Sequence, residues 1–386
     1  MSKLGTQNSV FAFLIVLFLL ALIVLEHIIA PTDRASMLLV CLRMGAIFAL
    51  LAVSMNLLNG FTGLFSLGHA GFMLIGAFTY AVFTIPLYQR YSVYRYFDYA
   101  ITVSFPEVLE NAIGAPGMWL GVIAAVLLAG FVTACVAFLI GLPVLRLRSD
   151  YLAIATLGFA EIIRTIFMWR GLGPITNGAN PLRLFTRQGD LAITIGDYRI
   201  GLANFSLVLF SAVCIFVITL LVKSSYGRAF KAIREDEVAA EAMGINLFKH
   251  KQLSFCISSF FTGIGGALLA IFMGTVMANN FRVAMTYEFL LIVVLGGIGS
   301  VSGSVIAAML FVFASQWWLR GLDSGVFLGI ASPLFRPGFR LVVFSVIIMC
   351  VVLFFRRGIM GDKEITYYLD KWRSRKQKPE AGVADA

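Results

Sequence analysis

Charge is scarce in this chain. Only 13% of its 386 residues are Asp, Glu, Lys or Arg, while 60% are hydrophobic. A soluble protein of this length needs far more polar surface, so water is not its main solvent. Histidine is scarcer still: His27, His69 and His250 stand far apart, and no HExxH or Cys/His ligand spacing occurs. No metal site is therefore expected. The five cysteines, Cys41, Cys135, Cys214, Cys256 and Cys350, lack CxxC spacing and all lie in apolar runs. They read as small packing residues. The chain also has no GxxxxGK(S/T) phosphate loop and no GxSxG elbow, so ATP hydrolysis cannot be assigned to it. No catalytic constellation can be assembled, and neither a cofactor nor an enzyme activity is expected.

What the chain has is long apolar runs, at 10–30, 36–59, 64–87, 118–142, 151–169, 205–222, 252–276, 286–296, 303–319 and 338–355. Most are near the ~20 residues a helix needs to cross hydrocarbon; the eighth is too short alone. The runs are continuous, which argues against a β-barrel of alternating strands. The expected fold is all-α: a polytopic transmembrane bundle of about ten spans with both termini cytoplasmic and 10–30 kept as an uncleaved first helix. Residues 1–358 form the membrane domain and 359–386 a basic tail. On this topology the inner loops hold 17 of the 30 lysines and arginines, and the outer loops ten. Trp119, Trp169, Trp317 and Trp318 fall at outer span ends, as interfacial rings do. Anionic lipid headgroups suffice to explain the net charge of +10, so no nucleic-acid partner is inferred. Two sets of five spans would be opposite in orientation, the layout of inverted-repeat transporters. The alternating segment Leu191–Ile200 predicts a short outer hairpin.

Two glycine-rich stretches interrupt the apolar runs. Asn56–Ala77 reads NLLNGFTGLFSLGHAGFMLIGA. Glycine lets helices approach closely, and where it breaks a helix it frees polar groups that must face protein or a wet cavity. Two readings stand. One is a discontinuous helix lining a translocation route, with Gly63, Ser66, Gly68, His69 and Gly71 along it; the other is close helix packing, with His69 bonded to a neighbouring carbonyl. Leu295–Ser304, LGGIGSVSGS, carries Gly297 and Gly299. These make either a tight inner turn or a broken helix on the same route, and turn geometry alone suffices. Glu161 and Arg164, at i, i+3 in the fifth run, share a helical face and can neutralise each other. Holding the ammonium and carboxylate of a zwitterionic solute is the alternative.

The third feature is the loop 223–251, whose SSYGRAFKAIREDEVAAEAMGIN segment is a compact charged stretch between long apolar runs. Helix formers dominate from Arg228 to Met243, and Gly244 suits a left-handed helix stop. Phe230, Ile233, Ala240 and Met243 form an apolar stripe that fits a groove on another protein. The plain alternative is a solvated cytoplasmic loop.

Four stretches together resemble the LivM-type permeases of bacterial branched-chain amino acid ABC importers: NGFTGLFSLGHAGF (59–72), SDYLAIATLGFAEIIRTI (149–166), GRAFKAIREDEVAAEAMGIN (227–246) and YEFLLIVVLGGIGSVSGS (287–304). The resemblance implies a multi-pass subunit of the bacterial inner membrane. It also implies four partner chains: a second, LivH-like permease, two cytoplasmic ATPase subunits and a periplasmic solute-binding protein. It implies that a single helix over 228–244, through Arg228, Arg234, Glu237, Ala240, Glu241 and Gly244, couples ATPase motion to the spans. The turn Thr176–Pro181 departs from the Thr-Gly-Gly-x-x-Gly-like pattern frequent in that family. The wider family includes urea and short-amide permeases, which gives one alternative. A secondary transporter independent of ATP is another, with Glu161 as its deep carboxylate.

Overall fold

A computed structural model describes residues 33–147, 149–187, 193–195, 198–200, 203–318, 326–327, 330–331 and 358–361, with isolated positions between 342 and 349. Each expected apolar run within these limits is a helix. The long helices are α1 (Asp33–Asn56), α2 (His69–Thr84), α3 (Phe105–Ile113), α4 (Ala115–Val144), α5 (Ser149–Met168) and α6 (Ala203–Lys223). The charged loop supplies α7 (Ser225–Glu235) and α8 (Glu237–Ala242). Then come α9 (Leu247–Met273), α10 (Val283–Gly296) and α11 (Val301–Phe313). Among the described residues five helices are long and apolar enough to cross a membrane, or six if α2 and its bent continuation count as one span. The expected span 10–30 lies outside the described residues, and 338–355 almost entirely so. At ~1.5 Å per residue, the 14 residues of α10 reach only about 21 Å, short of the ~30 Å hydrocarbon thickness.

Helix ends follow local chemistry. Proline occupies the first turn of α3 and of α4, where its missing N–H costs nothing. Asn246 and Ser300 cap α9 and α11 by accepting from Lys249 N and Gly303 N at 3.0 and 3.1 Å. The expected hairpin is present as the antiparallel pair β1 (Ile193–Ile195) and β2 (Tyr198–Ile200).

α9 is the hub. It packs against α4, α2 and α1, while α1 also carries α11, α10 and α6. In the apolar window of α9, 78% of residues are buried inside the chain, against 33%, 28% and 33% for α4, α5 and α6. The outer helices therefore offer apolar faces that lipid or another chain must cover. At the end of α2 the chain turns by 101° into residues 87–93. Arg90, almost fully buried, donates there to the carbonyls of Val82, Ile85 and Val103. A cation at Val82 O and Ile85 O, at the end of α2, suits the negative end of the helix dipole. Nearby, Asn177 takes the left-handed conformation at φ 60 and donates to Val93 O. Asparagine tolerates that left-handed region, and Gly178 follows it there at φ 61.

Candidate functional site

The two glycine-rich stretches meet. α1 does not simply end at Asn56: it widens into a π-turn, Leu57–Phe61, and the chain then crosses Thr62–Gly68 without helix before α2 starts at His69. The span expected from residue 64 is therefore shorter at its start. Between α10 and α11 the chain reverses through Gly297 and Gly299, at φ 112 and 89, with Ser300 N donating back to Gly297 O at 3.2 Å. The tight-turn reading of 295–304 holds.

Asn56 joins these two interruptions. Its side chain is fully buried; Nδ2 donates to Ser300 O at 2.9 Å and to Ser304 Oγ at 2.8 Å, and Oδ1 accepts from Gly299 N at 2.9 Å. Sequence reading left Asn56 out of the site. Its signal was modest: an amide side chain near the end of an apolar run, four residues before Gly60.

The unwound segment is satisfied by neighbouring side chains. Thr156 Oγ1 on α5 accepts from Leu67 N, and Thr286 Oγ1 on α10 accepts from Ala70 N in the first turn of α2, each at 3.0 Å. Ser66 N donates to Asn59 Oδ1, and Gly68 N to Ser66 Oγ. Buried amides without water need such partners, which explains hydroxyls at these depths. Gly68 and Gly71 lie against Thr156 and Ala160 of α5, where a side chain would crowd the backbone. His69 is buried; its Nε2 lies 3.4 Å from Ser258 Oγ, not from a carbonyl, and its Nδ1 has no hydrogen-bond partner among the described residues. The stretch is thus both interrupted and closely packed.

Over this junction sits the charged loop, as two helices and not one. Asp236 leaves helical geometry at φ −157 and caps α8, its Oδ1 accepting from Val238 N at 2.8 Å and Ala239 N at 3.1 Å. An aspartate satisfies two otherwise orphaned amides there, so the break is favoured over a continuous helix. α8 closes as read from the sequence: Gly244 has φ 84, Gly244 N donates to Glu241 O, and Ile245 N to Ala240 O. That pair of bonds is the Schellman stop.

The apolar stripe of the loop is corrected by its burial. Phe230, Ile233 and Ala240 are buried within this chain, and α7 packs on α6, α9 and the π-turn. Val238 and Met243, 78% and 83% exposed, point outward, as does half-exposed Tyr226. Arg228, Glu241 and Gly244 are exposed too. Glu237 is tied to Lys251 of α9 at 2.6 Å. Arg234 turns inward, its Nη1 donating to Gly60 O at 3.0 Å, while Nη2 pairs with Glu235 at 2.6 Å. The stem of Arg234 lines Gly63. Thus Gly63, Gly299 and Arg234 come together, whereas Glu161 and Arg164 lie apart on α5. Those two pair at 2.7 Å, with Arg164 Nη1 reaching Asn279 Oδ1 at 3.3 Å.

Among the described residues no group of three or more His, Cys, Asp or Glu could hold a metal ion. What the geometry offers is mechanical: two interrupted helix pairs, joined by one buried amide, beneath a surface loop that touches the joint. Together with helices long and apolar enough to cross a membrane, this defines a multi-pass helical membrane protein. The chain belongs to the family described as branched-chain amino acid transport system / permease component, which matches residues 37–353. The high-affinity branched-chain amino acid transport system permease protein LivM of Salmonella typhimurium (strain LT2) is 33% identical over 324 residues, covering 78% of this chain and 68% of that protein. The LivH permease protein of the same organism is 30% identical over 142 residues, 37% of this chain and 42% of that one. A guanosine ABC transporter permease protein, NupQ of Bacillus subtilis (strain 168), is 22% identical over 294 residues, with 74% and 77% covered. No solved structure matches.

Proposed function

We propose that this chain is a permease subunit of an ABC importer that moves branched-chain amino acids inward across a bacterial inner membrane. The observation that carries the reading is the likeness to a LivM permease protein over more than three quarters of the chain. The charged loop supports it, since its edge, with Val238, Glu241 and Met243, stands exposed among the described residues. In this reading the chain has about ten spans with both termini cytoplasmic. It assembles with a second, LivH-like permease, two cytoplasmic ATPases and a periplasmic solute-binding protein. Arg228, Val238, Glu241 and Met243 face the ATPase, Glu237 holds α8 on α9, and Gly244 shapes the edge. Gly63, Ser66, Gly68, His69, Gly71, Gly297 and Gly299 border the moving part of the pathway.

A secondary transporter finds less support. Its one deep carboxylate, Glu161, is already paired with Arg164, and both are partly exposed. The deciding experiment is purification of the tagged chain in mild detergent, followed by reconstitution. Two P-loop ATPases and a second permease should co-purify, and ATP should drive uptake of labelled leucine, with isoleucine and valine competing. Stronger competition by guanosine or urea would move the substrate to those classes. A chain that purifies alone and follows a proton gradient would overturn the reading.

Gly244→Val offers a local check. No atom lies within 4 Å of a Cβ at this position, so space is not the obstacle. The obstacle is φ 84, which strains a β-branched residue by roughly 1–2 kcal/mol and opens the Schellman turn. The expected result is a complex with a wild-type amount of permease, weaker ATPase retention and several-fold slower ATP-dependent uptake. Wild-type uptake would remove this edge from the docking surface.

A further inference from the structure

We propose that Arg234 is an internal strut: it carries movement of the charged loop to both helix interruptions and does not itself touch an ATPase. This rests on the importer reading above. One side chain engages both interruptions. Nη1 donates to the Gly60 carbonyl inside the π-turn at 3.0 Å. A Cβ at Gly63 would stand 3.0 Å from Arg234 Cγ and 3.3 Å from Arg234 Cα, so the stem already fills that space. A Cβ at Gly299 would stand 2.7 Å from Nη1, so the guanidinium closes on the second turn as well. Asn56 binds the two interruptions to each other from within the core.

The residue type fits the task. Arginine puts a permanently charged, planar donor fork at the end of a long stem. Glu235 fixes that fork through Nε at 3.1 Å and Nη2 at 2.6 Å, leaving Nη1 aimed at Gly60. Lys231 adds a second hold on the π-turn, its Nζ 5.5 Å from the centre of the Phe61 ring. A π-turn departs from the regular α-helical ladder, and such single turns are frequent at functional sites. The exposed residues of the loop, Arg228, Val238, Glu241 and Met243, stand apart from these contacts. The loop therefore has an outward edge for a partner and one inward strut.

The test uses the complete importer in lipid nanodiscs, comparing the nucleotide-free and vanadate-trapped states by hydrogen exchange. Wild type should change on trapping both at the loop edge, 236–246, and at the junction, 57–66 and 297–303. Arg234→Met keeps the stem but loses the fork. The loop-edge change should persist in it while the junction change disappears. Leucine moved per ATP hydrolysed should fall about tenfold or more, consistent with losing a charge-assisted hydrogen bond. Arg234→Lys should recover part of that ratio. A merely structural defect would lower transport and hydrolysis together and leave the ratio unchanged. A junction that still responds in Arg234→Met, an unchanged ratio, or loss of ATPase binding would each overturn the strut. A wild-type chain that assembles with no ATPase, or whose uptake ignores ATP, would instead sink the importer reading.

Discussion

The Asn56→Ala chain is expected to be destabilised by roughly 2–3 kcal/mol, seen as earlier thermal unfolding in detergent and a smaller steady-state amount in the membrane. The reason lies in how unequally its three partners are provided for. Ser300 O keeps Ser304 N and Ser304 Oγ as donors after Asn56 Nδ2 is gone. Ser304 Oγ in turn keeps Ser300 O. Gly299 N has only the Asn56 Oδ1 contact at 2.9 Å among the bonds described for it. The loss therefore concentrates on one backbone amide and on the small void left in a packed site. Asn56→Asp sharpens the test. It can still accept from Gly299 N but sets a carboxylate oxygen against Ser300 O, so it is expected to be no better than alanine. Both chains should also lose most ATP-dependent uptake, because the two interruptions would no longer move as one. An Asn56→Ala chain that melts and transports like wild type would mean that the two stretches merely happen to touch.

Much of this fold was legible because bilayer thickness imposes a simple rule on apolar runs. Each expected run from 36–59 to 303–319 coincides with a helix, including the short one that became α10. The Gly244 stop and the 193–200 hairpin were legible for local reasons: one needs a residue that tolerates positive φ, the other alternation flanking a turn. The i, i+3 pairing of Glu161 with Arg164 was legible in the same way, since helix geometry alone brings the two together. Asp236 was harder. Helix formers surround it, and only its cap bonds to Val238 and Ala239 reveal that two helices are preferred. The stripe of Phe230, Ile233 and Ala240 exposed a different limit. Periodicity says that a face is apolar but not which surface covers it, and here α6, α9 and the π-turn do. Asn56 is the clearest case. Its partners lie 243 to 248 residues away, a separation at which one sequence offers no pattern to read.

Gly76→Val is expected to have the largest effect of any single change considered, with the chain failing to accumulate. α2 crosses α9 at this point, and a Cβ on Gly76 would collide with the Gly263 carbonyl and stand 2.6 Å from Gly263 C and Cα. The mirror contact is as tight: a Cβ on Gly266 would collide with the Met73 carbonyl. These neighbours are backbone, so no rotamer change relieves them and the helices must separate. Overpacking of this kind costs about 1–3 kcal/mol where side chains can shift, and more where they cannot. Separation would also loosen α9 from α4 and α1, because the same helix holds both. Association of apolar helices in lipid relies on close packing in place of hydrophobic burial, so nothing compensates for the lost contact. Gly76→Ala should already lower the amount of folded protein severely. Gly158 in α5 is the control, since no atom lies within 4 Å of its Cβ position and its backbone is ordinary helix. Gly158→Ala should be neutral or stabilising by up to about 1 kcal/mol, as replacing a mid-helix glycine generally is. Comparing the two chains by fluorescence-detected size exclusion separates a general dislike of change at glycine from a specific crossing. Equal profiles for Gly76→Ala and Gly158→Ala would mean that the α2–α9 contact is looser than this packing requires.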